Sequence, residues 1–319
     1  MSRWRALALG IDIGSTHVRI ACAERNGAGE RRLRAVATQP LPSQGDPVLA
    51  AVDAVREAAG TLGASERRCV TALRPPDATV ALRAFPKMSA RERRRSARFE
   101  AEHSAGWDVS ADPVVSRLHA VDRETALYAA GLARSSALSR ARRIVEAARL
   151  RLAAVDLDAY ALRRALPGAD VVVDVGLHRT SVHIMAPAAA ASALVPAGGS
   201  AMTRAIGNEL ALEEALAEER KLALGAGGVA VTEKRELVAS VSAAVARLRR
   251  GAPVRTLAVV GNGSRLAGLA RDMERETGAR IASGVPATFS GDAYPDDVIA
   301  AALPDWALAV GLAYWDAGA

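Results

Sequence analysis

The sequence predicts an α/β protein built from two related halves, and three observations carry that reading. An apolar strand, an Asp-x-Gly turn and a second alternating strand occur twice, half a chain apart. The length of 319 residues accommodates two cores at roughly 100–200 residues per domain. Apolar residues make up 50% and charged residues 24%, the balance of a folded globular chain rather than a disordered one. Aromatics are 3%, so Ala, Leu and Val must fill the interior.

The first copy reads Ala6-Leu-Ala-Leu-Gly10-Ile-Asp12-Ile-Gly14-Ser15-Thr16-His17-Val-Arg19-Ile20. The second reads Asp170-Val-Val-Val-Asp174-Val-Gly176-Leu-His-Arg-Thr180-Ser-Val-His-Ile184, with Asp174 162 positions after Asp12. Each pattern is a β-hairpin, because apolar alternation of period two marks the strands and Gly lets the backbone enter the tight turn. Turn amides of this kind converge on anions. An aspartate just before the turn suits hydrated Mg²⁺, which takes one or two carboxylates with water and phosphate oxygens. Two such hairpins facing each other would hold the phosphates of a nucleotide from both sides. A single Asp-x-Gly would merely close a hairpin; the repetition is what points to a ligand.

A third glycine cluster, Thr256 to Val260 followed by Gly261-Asn262-Gly263-Ser264, predicts a strand and turn leading into a helix over Leu266 to Thr277. The helix N-terminus favours phosphate or ribose oxygens. The glycine spacing is not the dinucleotide-binding fingerprint. Between the second hairpin and this cluster, Leu212 to Leu224 predicts a helix that projects Glu218 and Lys221 from one face.

The segment between the first hairpin and Asp156 predicts a small α+β unit. Glu92 to His103 reads as a charged helix. Val114 to Val121 and Ala126 to Leu132 read as paired strands joined at Asp122-Arg123. Ser135 to Arg151 reads as an amphipathic helix, with Leu138, Ala141, Val145, Ala148 and Leu152 on one face and Ser135 or Ser136 as N-cap. Arg91, Arg93, Arg94 and Arg95 form either a solvated face or a surface for acidic groups.

The formal charge of +7 comes almost entirely from arginine, since Lys87, Lys221 and Lys234 are the only lysines. The arginines are dispersed along the chain, so no nucleic-acid partner is expected. Cys22 and Cys69 allow one disulfide at most and no cysteine metal cage, which suits a reducing compartment. The longest uncharged stretch, Ile184 to Thr203, is interrupted by Pro187, Pro196, Gly198 and Gly199 and makes a poor membrane span. A cytoplasmic protein is expected. His178 and His183 lie five apart and form no metal pair, and neither a Gly-x-Ser-x-Gly elbow nor a His-Glu-x-x-His helix is present.

The three elements, in this order, resemble the phosphate-one, phosphate-two and adenosine motifs of the superfamily of actin, sugar kinases and heat-shock chaperones. Within it the chain resembles the PilM family, the FtsA-type actin-like proteins of type IV pilus assembly. The likeness rests on Gly10 to Arg19, Phe99-Glu100-Ala101-Glu102, Ala154-Val155-Asp156 with Ala161-Leu-Arg163, Pro196-Ala-Gly198-Gly199 with Thr203 and Ile206, and Ala309-Val-Gly311-Leu. It departs at Ala267, where a proline is usual, at Asn262, and at the bulky loop Leu177-His178-Arg179.

The resemblance implies an actin-like ATPase-domain fold, a duplicated ribonuclease-H-like architecture with an inserted α+β subdomain. It implies a first domain over 1–165 with the insert at about 78–152, and a second over 166–319. The second would hold a smaller subdomain at about 207–250 and a last helix, 304–316, returning to the first domain. ATP would be held by Asp12, Gly14, Ser15, Thr16, Asp174, Gly176, Thr180, Gly198, Gly199, Glu218, Lys221, Gly261, Asn262, Gly263 and Ser264, with Mg²⁺ at Asp12 and Asp174. The implied partner is the N-terminal cytoplasmic peptide of a PilN-like inner-membrane protein, with pilus assembly ATPases as further partners and the protein peripheral to the inner membrane. No catalytic residue is assigned, and at most slow ATP hydrolysis is implied. A degenerate scaffold that binds no nucleotide and a small-molecule kinase of the same superfamily stay open as alternatives.

Overall fold

A computed structural model describes residues 4–42, 44–63, 65–105, 114–185, 190–226, 228–249, 251–285 and 303–316. The chain divides into two compact units, Met1–Pro167 with Val285–Ala319, and Gly168–Gly284.

The first unit is organised by a mixed sheet of β1 (Arg5–Ala6), β2 (Leu9–Ile13), β3 (His17–Arg25), β4 (Arg31–Pro40), β5 (Arg68–Leu73) and β9 (Arg151–Leu157). Its order is β4-β3-β2-β5-β9, with β1 pairing the far end of β3. The strands β2, β3 and β4 form an antiparallel meander, and β5 and β9 add in parallel. Helix α1 (Pro47–Thr61) covers one face through Val52, Val55 and Ala58. It starts sharply because the Asp46 carboxylate accepts the Val48 and Leu49 N–H groups and Pro47 follows it directly.

The second unit repeats this plan. Its sheet consists of β10 (Val171–Val175), β11 (Thr180–Ile184), β12 (Ala191–Val195), β13 (Thr256–Val260) and β14 (Arg280–Ile281), in the order β12-β11-β10-β13-β14. The register repeats residue for residue: Asp12 lies opposite Arg19 and Asp174 opposite Ser181, and both members shift by 162. The parallel partner is equivalent too, since Leu9 pairs Cys69 as Val171 pairs Leu257. Fully buried Val171, Val173, Val182 and Leu257 pack under α5 (Gly199–Leu210), α6 (Glu214–Leu224), α7 (Val231–Arg249) and α8 (Leu269–Thr277). Such continuous apolar strands are what burial on both faces of a sheet demands.

Between β5 and β9 the first unit inserts β6 (Ala78–Pro86), α2 (Ala90–Ala105), β7 (Val114–Ala120), β8 (Thr125–Ala133) and α3 (Ser135–Ala147). The three strands form their own antiparallel sheet, β6-β8-β7, with Phe85, Tyr128 and Ala130 packed on Ala97 of α2. Asp122 accepts the N–H groups of Glu124 and Thr125 and so closes the β7–β8 turn. Helix α3 begins at Ser135 with Arg134 in the cap position and no side-chain cap bond. Its Ile144, Val145 and Ala148 join the core beneath α1, so this helix belongs to the layer over the first sheet.

Helix α4 (Asp158–Ala165) and α9 (Ala307–Ala313) complete the first unit. Every residue of α9 is buried. Glycine allows the close approach: a Cβ at Gly10 would overlap the backbone of Ala309 and Ala313, and one at Gly311 would overlap the Ala161 carbonyl. Arg19 donates to Asp305 at 2.8 Å just before α9, and the Asp305 side chain is 1% exposed. No helix among the described residues is long and apolar enough to cross a membrane.

Candidate functional site

The two hairpin turns have one construction. The Gly14 N–H donates to the His17 carbonyl at 2.9 Å, and the Gly176 N–H donates to the Arg179 carbonyl at 3.0 Å. A Cβ on either glycine would stand 2.9 Å from that carbonyl oxygen, so both turns exclude side chains for the same reason. Ser15 and Thr16 form the rest of the first turn, where the Thr16 carbonyl accepts the Leu41 N–H at 2.7 Å and its hydroxyl lies 3.0 Å from His17 Nδ1. Thr180 is buried and its hydroxyl donates to the Ala197 carbonyl at 2.8 Å, which ties the second hairpin to the approach to α5.

The second unit brings most of the sequence-predicted residues to the same end of its sheet. Gly198 lies on the second turn, where a Cβ would stand 2.6 Å from the Gly176 and Leu177 carbonyls and 2.7 Å from the Arg179 nitrogen. The Gly199 and Ser200 N–H groups donate to those same carbonyls at 3.0 and 2.8 Å. The Gly-x-Gly segment closes on β10 from the other side. Gly261 has φ of +77°, and a Cβ there would overlap the Asp174 carboxylate; one at Gly263 would overlap Val175. The Ser264 hydroxyl donates to the Gly261 carbonyl at 2.7 Å. Asn262 opens a single 3₁₀ turn, Asn262–Arg265, and α8 starts only at Leu269 rather than at Leu266. The physical reason is Gly268, whose left-handed φ of +79° interrupts the helix.

Glu218 and Lys221 lock α6 to the first turn of α5. The Lys221 ammonium, in a residue only 4% exposed, donates to the Gly199 carbonyl at 3.1 Å, the Thr203 hydroxyl at 2.8 Å and Glu218 Oε2 at 2.6 Å. Thr203 donates to Glu218 as well, at 2.6 Å. A buried ammonium is tolerated because all three of its donors meet acceptors. Just past Lys221, at the C-terminal cap of α6, a Cβ on Gly225 would stand 3.2 Å from Ala267, so the position that departs from the proline pattern faces the end of the same helix. A cavity of ≈ 600 Å³ runs along α5 past Ser200, Arg204 and Asn208, with His178 bonded to Ser200 at its wall.

The fit to Mg²⁺ differs between the two aspartates. Asp174 is 9% exposed and meets a cradle that only glycine at 261 leaves open, and a single carboxylate there suits a hydrated Mg²⁺. Asp12 is 5% exposed and its Oδ1 accepts from the Arg74 guanidinium. A divalent cation does not fit beside that pair, because the carboxylate is already neutralised by a fixed cation. Among the described residues no group of three or more His, Cys, Asp or Glu side chains could hold a metal ion. Arg74 is the site residue that motif reading does not single out; Thr203 is named there only within the Gly-Gly segment, without its hydroxyl contacts to Glu218 and Lys221.

Two sheets of order 3-2-1-4-5, each with a glycine turn after its first strand and one with an inserted α+β unit, define an actin-like fold. The chain is similar in fold to PilM: a chain of the PilM–PilN type IV pilus biogenesis complex superposes with a TM-score of 0.80 at 21% identity, covering 96% of this chain and 97% of that one. The ethanolamine utilization protein EutJ from Carboxydothermus hydrogenoformans superposes at 0.61 with 14% identity, over 97% of this chain and 90% of its own. The MamK double helical filament gives 0.53 at 12% identity, over 97% and 99%. No family model and no curated protein sequence matches the chain. At these identities the likeness is one of fold.

Proposed function

We propose that this chain is an ATP-binding, actin-like scaffold of a type IV pilus or competence pilus assembly platform, peripheral to the inner membrane. Its partner in this reading is the N-terminal cytoplasmic peptide of a PilN-like membrane protein, and pilus assembly ATPases are further partners. The observation that carries the nucleotide part is the convergence of Asp174, Gly176, Gly198, Gly199, Glu218, Lys221, Gly261, Gly263 and Ser264 at one end of β10. Four glycines that exclude a Cβ, Gly176, Gly198, Gly261 and Gly263, bring turn backbone close beside the Asp174 carboxylate, an arrangement that supports a phosphate and nucleoside site. Mg²⁺ at Asp174 would offset phosphate charge. Asn262 and Thr180 contribute by shaping the turns, and Gly14, Ser15 and Thr16 form the equivalent turn of the first unit. The partner part is supported by the 0.80 superposition on the PilM–PilN complex.

A thermal-shift titration tests the reading. ATP at about a hundred times its dissociation constant stabilises a protein that binds it only when folded by roughly 2.7 kcal/mol. The same titration with a synthetic peptide from a PilN-like N-terminus tests the partner. Absence of any shift with ATP would leave a scaffold without nucleotide.

A further inference from the structure

The two copies of the hairpin differ in their cations, and the repeat itself allows the difference to be read position by position. Opposite Asp12 on the neighbouring strand stands Arg19, and opposite Asp174 stands Ser181. Directly opposed residues share one face of the sheet. On the parallel side, Leu9 pairs Cys69 where Val171 pairs Leu257, so Arg74, five residues past Cys69, corresponds to Asn262, five past Leu257. The first copy therefore has arginine at both positions flanking its aspartate, and the second has neutral serine and asparagine.

The two arginines have separate carboxylates. Arg19 donates to Asp305 at 2.8 Å and lies over the Trp306 ring, 5.8 Å from its centroid. Arg74 donates to Asp12. Asp12, Asp305, Arg19 and Arg74 sum to zero charge, so a divalent ion added to the cluster would leave it two charges positive. The Asp12 side chain is 7% exposed and that of Arg74 is 31% exposed, so the guanidinium reaches outward past a buried carboxylate. Its planar fork is permanently charged and suits phosphate oxygens as well as carboxylates.

We propose that Arg74 takes the place of a divalent cation at Asp12, so that any metal requirement of this chain belongs to Asp174 alone. The proposal rests on the nucleotide reading for its purpose, but its test does not. Without nucleotide, the full-length Arg74→Met variant leaves Asp12 buried and unpartnered. Mg²⁺ is expected to raise the thermal midpoint of that variant by about 3 °C or more beyond any change in the wild type. The double variant Asp12→Asn, Arg74→Met is expected to lose that rescue. An equal Mg²⁺ effect on wild type and Arg74→Met, or rescue that survives Asp12→Asn, overturns the proposal.

A second measurement does not depend on the folding of Arg74→Met. ATP affinity measured by calorimetry in Mg²⁺ and in EDTA gives a metal requirement as a ratio. Asp174→Asn is expected to abolish that ratio and Asp12→Asn to leave it within about threefold of the wild type, below the tenfold step worth 1.4 kcal/mol. Loss of the ratio in Asp12→Asn overturns the proposal. No ATP binding in any arm refutes the nucleotide reading instead, and the Mg²⁺ rescue then decides the role of Arg74 on its own.

Discussion

The Lys221 network offers a stability prediction with a worked magnitude. Lys221→Met keeps the length and apolar stem of the side chain and deletes an ammonium that makes hydrogen bonds to Gly199, Thr203 and Glu218. Hydrogen bonds to a charged group are each worth about 1.5–3 kcal/mol, but the methionine fits an interior site and Glu218, with its side chain 38% exposed, can be hydrated again. The net loss is expected to be about 2 kcal/mol. Glu218→Ala instead strands the ammonium with two neutral acceptors. Breaking a fully buried pair costs about 3–5 kcal/mol, and the exposure of Glu218 reduces that to about 2–3 kcal/mol. Because each single variant disturbs the same interaction, the double variant should cost about 1–1.5 kcal/mol less than the sum of the two. Urea denaturation of the four proteins measures this cycle. Additivity within about 0.3 kcal/mol would refute the claim that Lys221 and Glu218 act as one unit.

Two other expectations follow from packing and burial. Gly10→Ala and Gly311→Ala each drive a methyl group into backbone atoms of a packed neighbour, and each should cost about 3 kcal/mol or more in denaturant unfolding, while Gly60→Ala, in open space within α1, should cost nothing. Burial pushes the Cys69 thiol and the Tyr160 hydroxyl each up to about 12, and it raises Cys22 as well. The neutral forms are thus favoured in the folded chain, so this contribution is complete below the unfolded values of about 8.5 and 10. It is lost as pH climbs from there towards about 12, with a slope of about 1.4 kcal/mol per pH unit for each group. Denaturation midpoints between neutral and alkaline pH should fall in that window and fall less in Cys69→Ala. Both thiols should resist a disulfide reagent at mildly alkaline pH until the chain unfolds.

The repeat was the part of the fold that the sequence displayed most openly. Two apolar strands around Asp-x-Gly carry their own register information, because period-two alternation and a glycine turn fix which residues face each other. The equivalent pairings at Asp12 and Asp174 are that information made visible. Helical spacing likewise placed Glu218 and Lys221 on one face, and the structure adds that this face turns inward to Gly199 and Thr203. Arg74 could not be read from spacing, since it meets Asp12 only through the parallel pairing of strands some sixty residues apart. The late start of α8 was hidden for a different reason: the conformation of Gly268 depends on the tertiary approach of the loop, and glycine permits either sign of φ. Helix α3 showed its apolar face in sequence, but nothing local says which of two sheets that face will cover.

The most direct measurement is a calorimetric titration of ATP with Mg²⁺ into the wild-type chain and into Asp174→Ala. Saturable one-to-one binding by the wild type, weakened about tenfold or more in the variant, corresponds to at least 1.4 kcal/mol contributed at that carboxylate and is the outcome expected. A wild type that gives no heat of binding, or a variant that binds as tightly as its parent, would contradict the assignment of this unit as the nucleotide site.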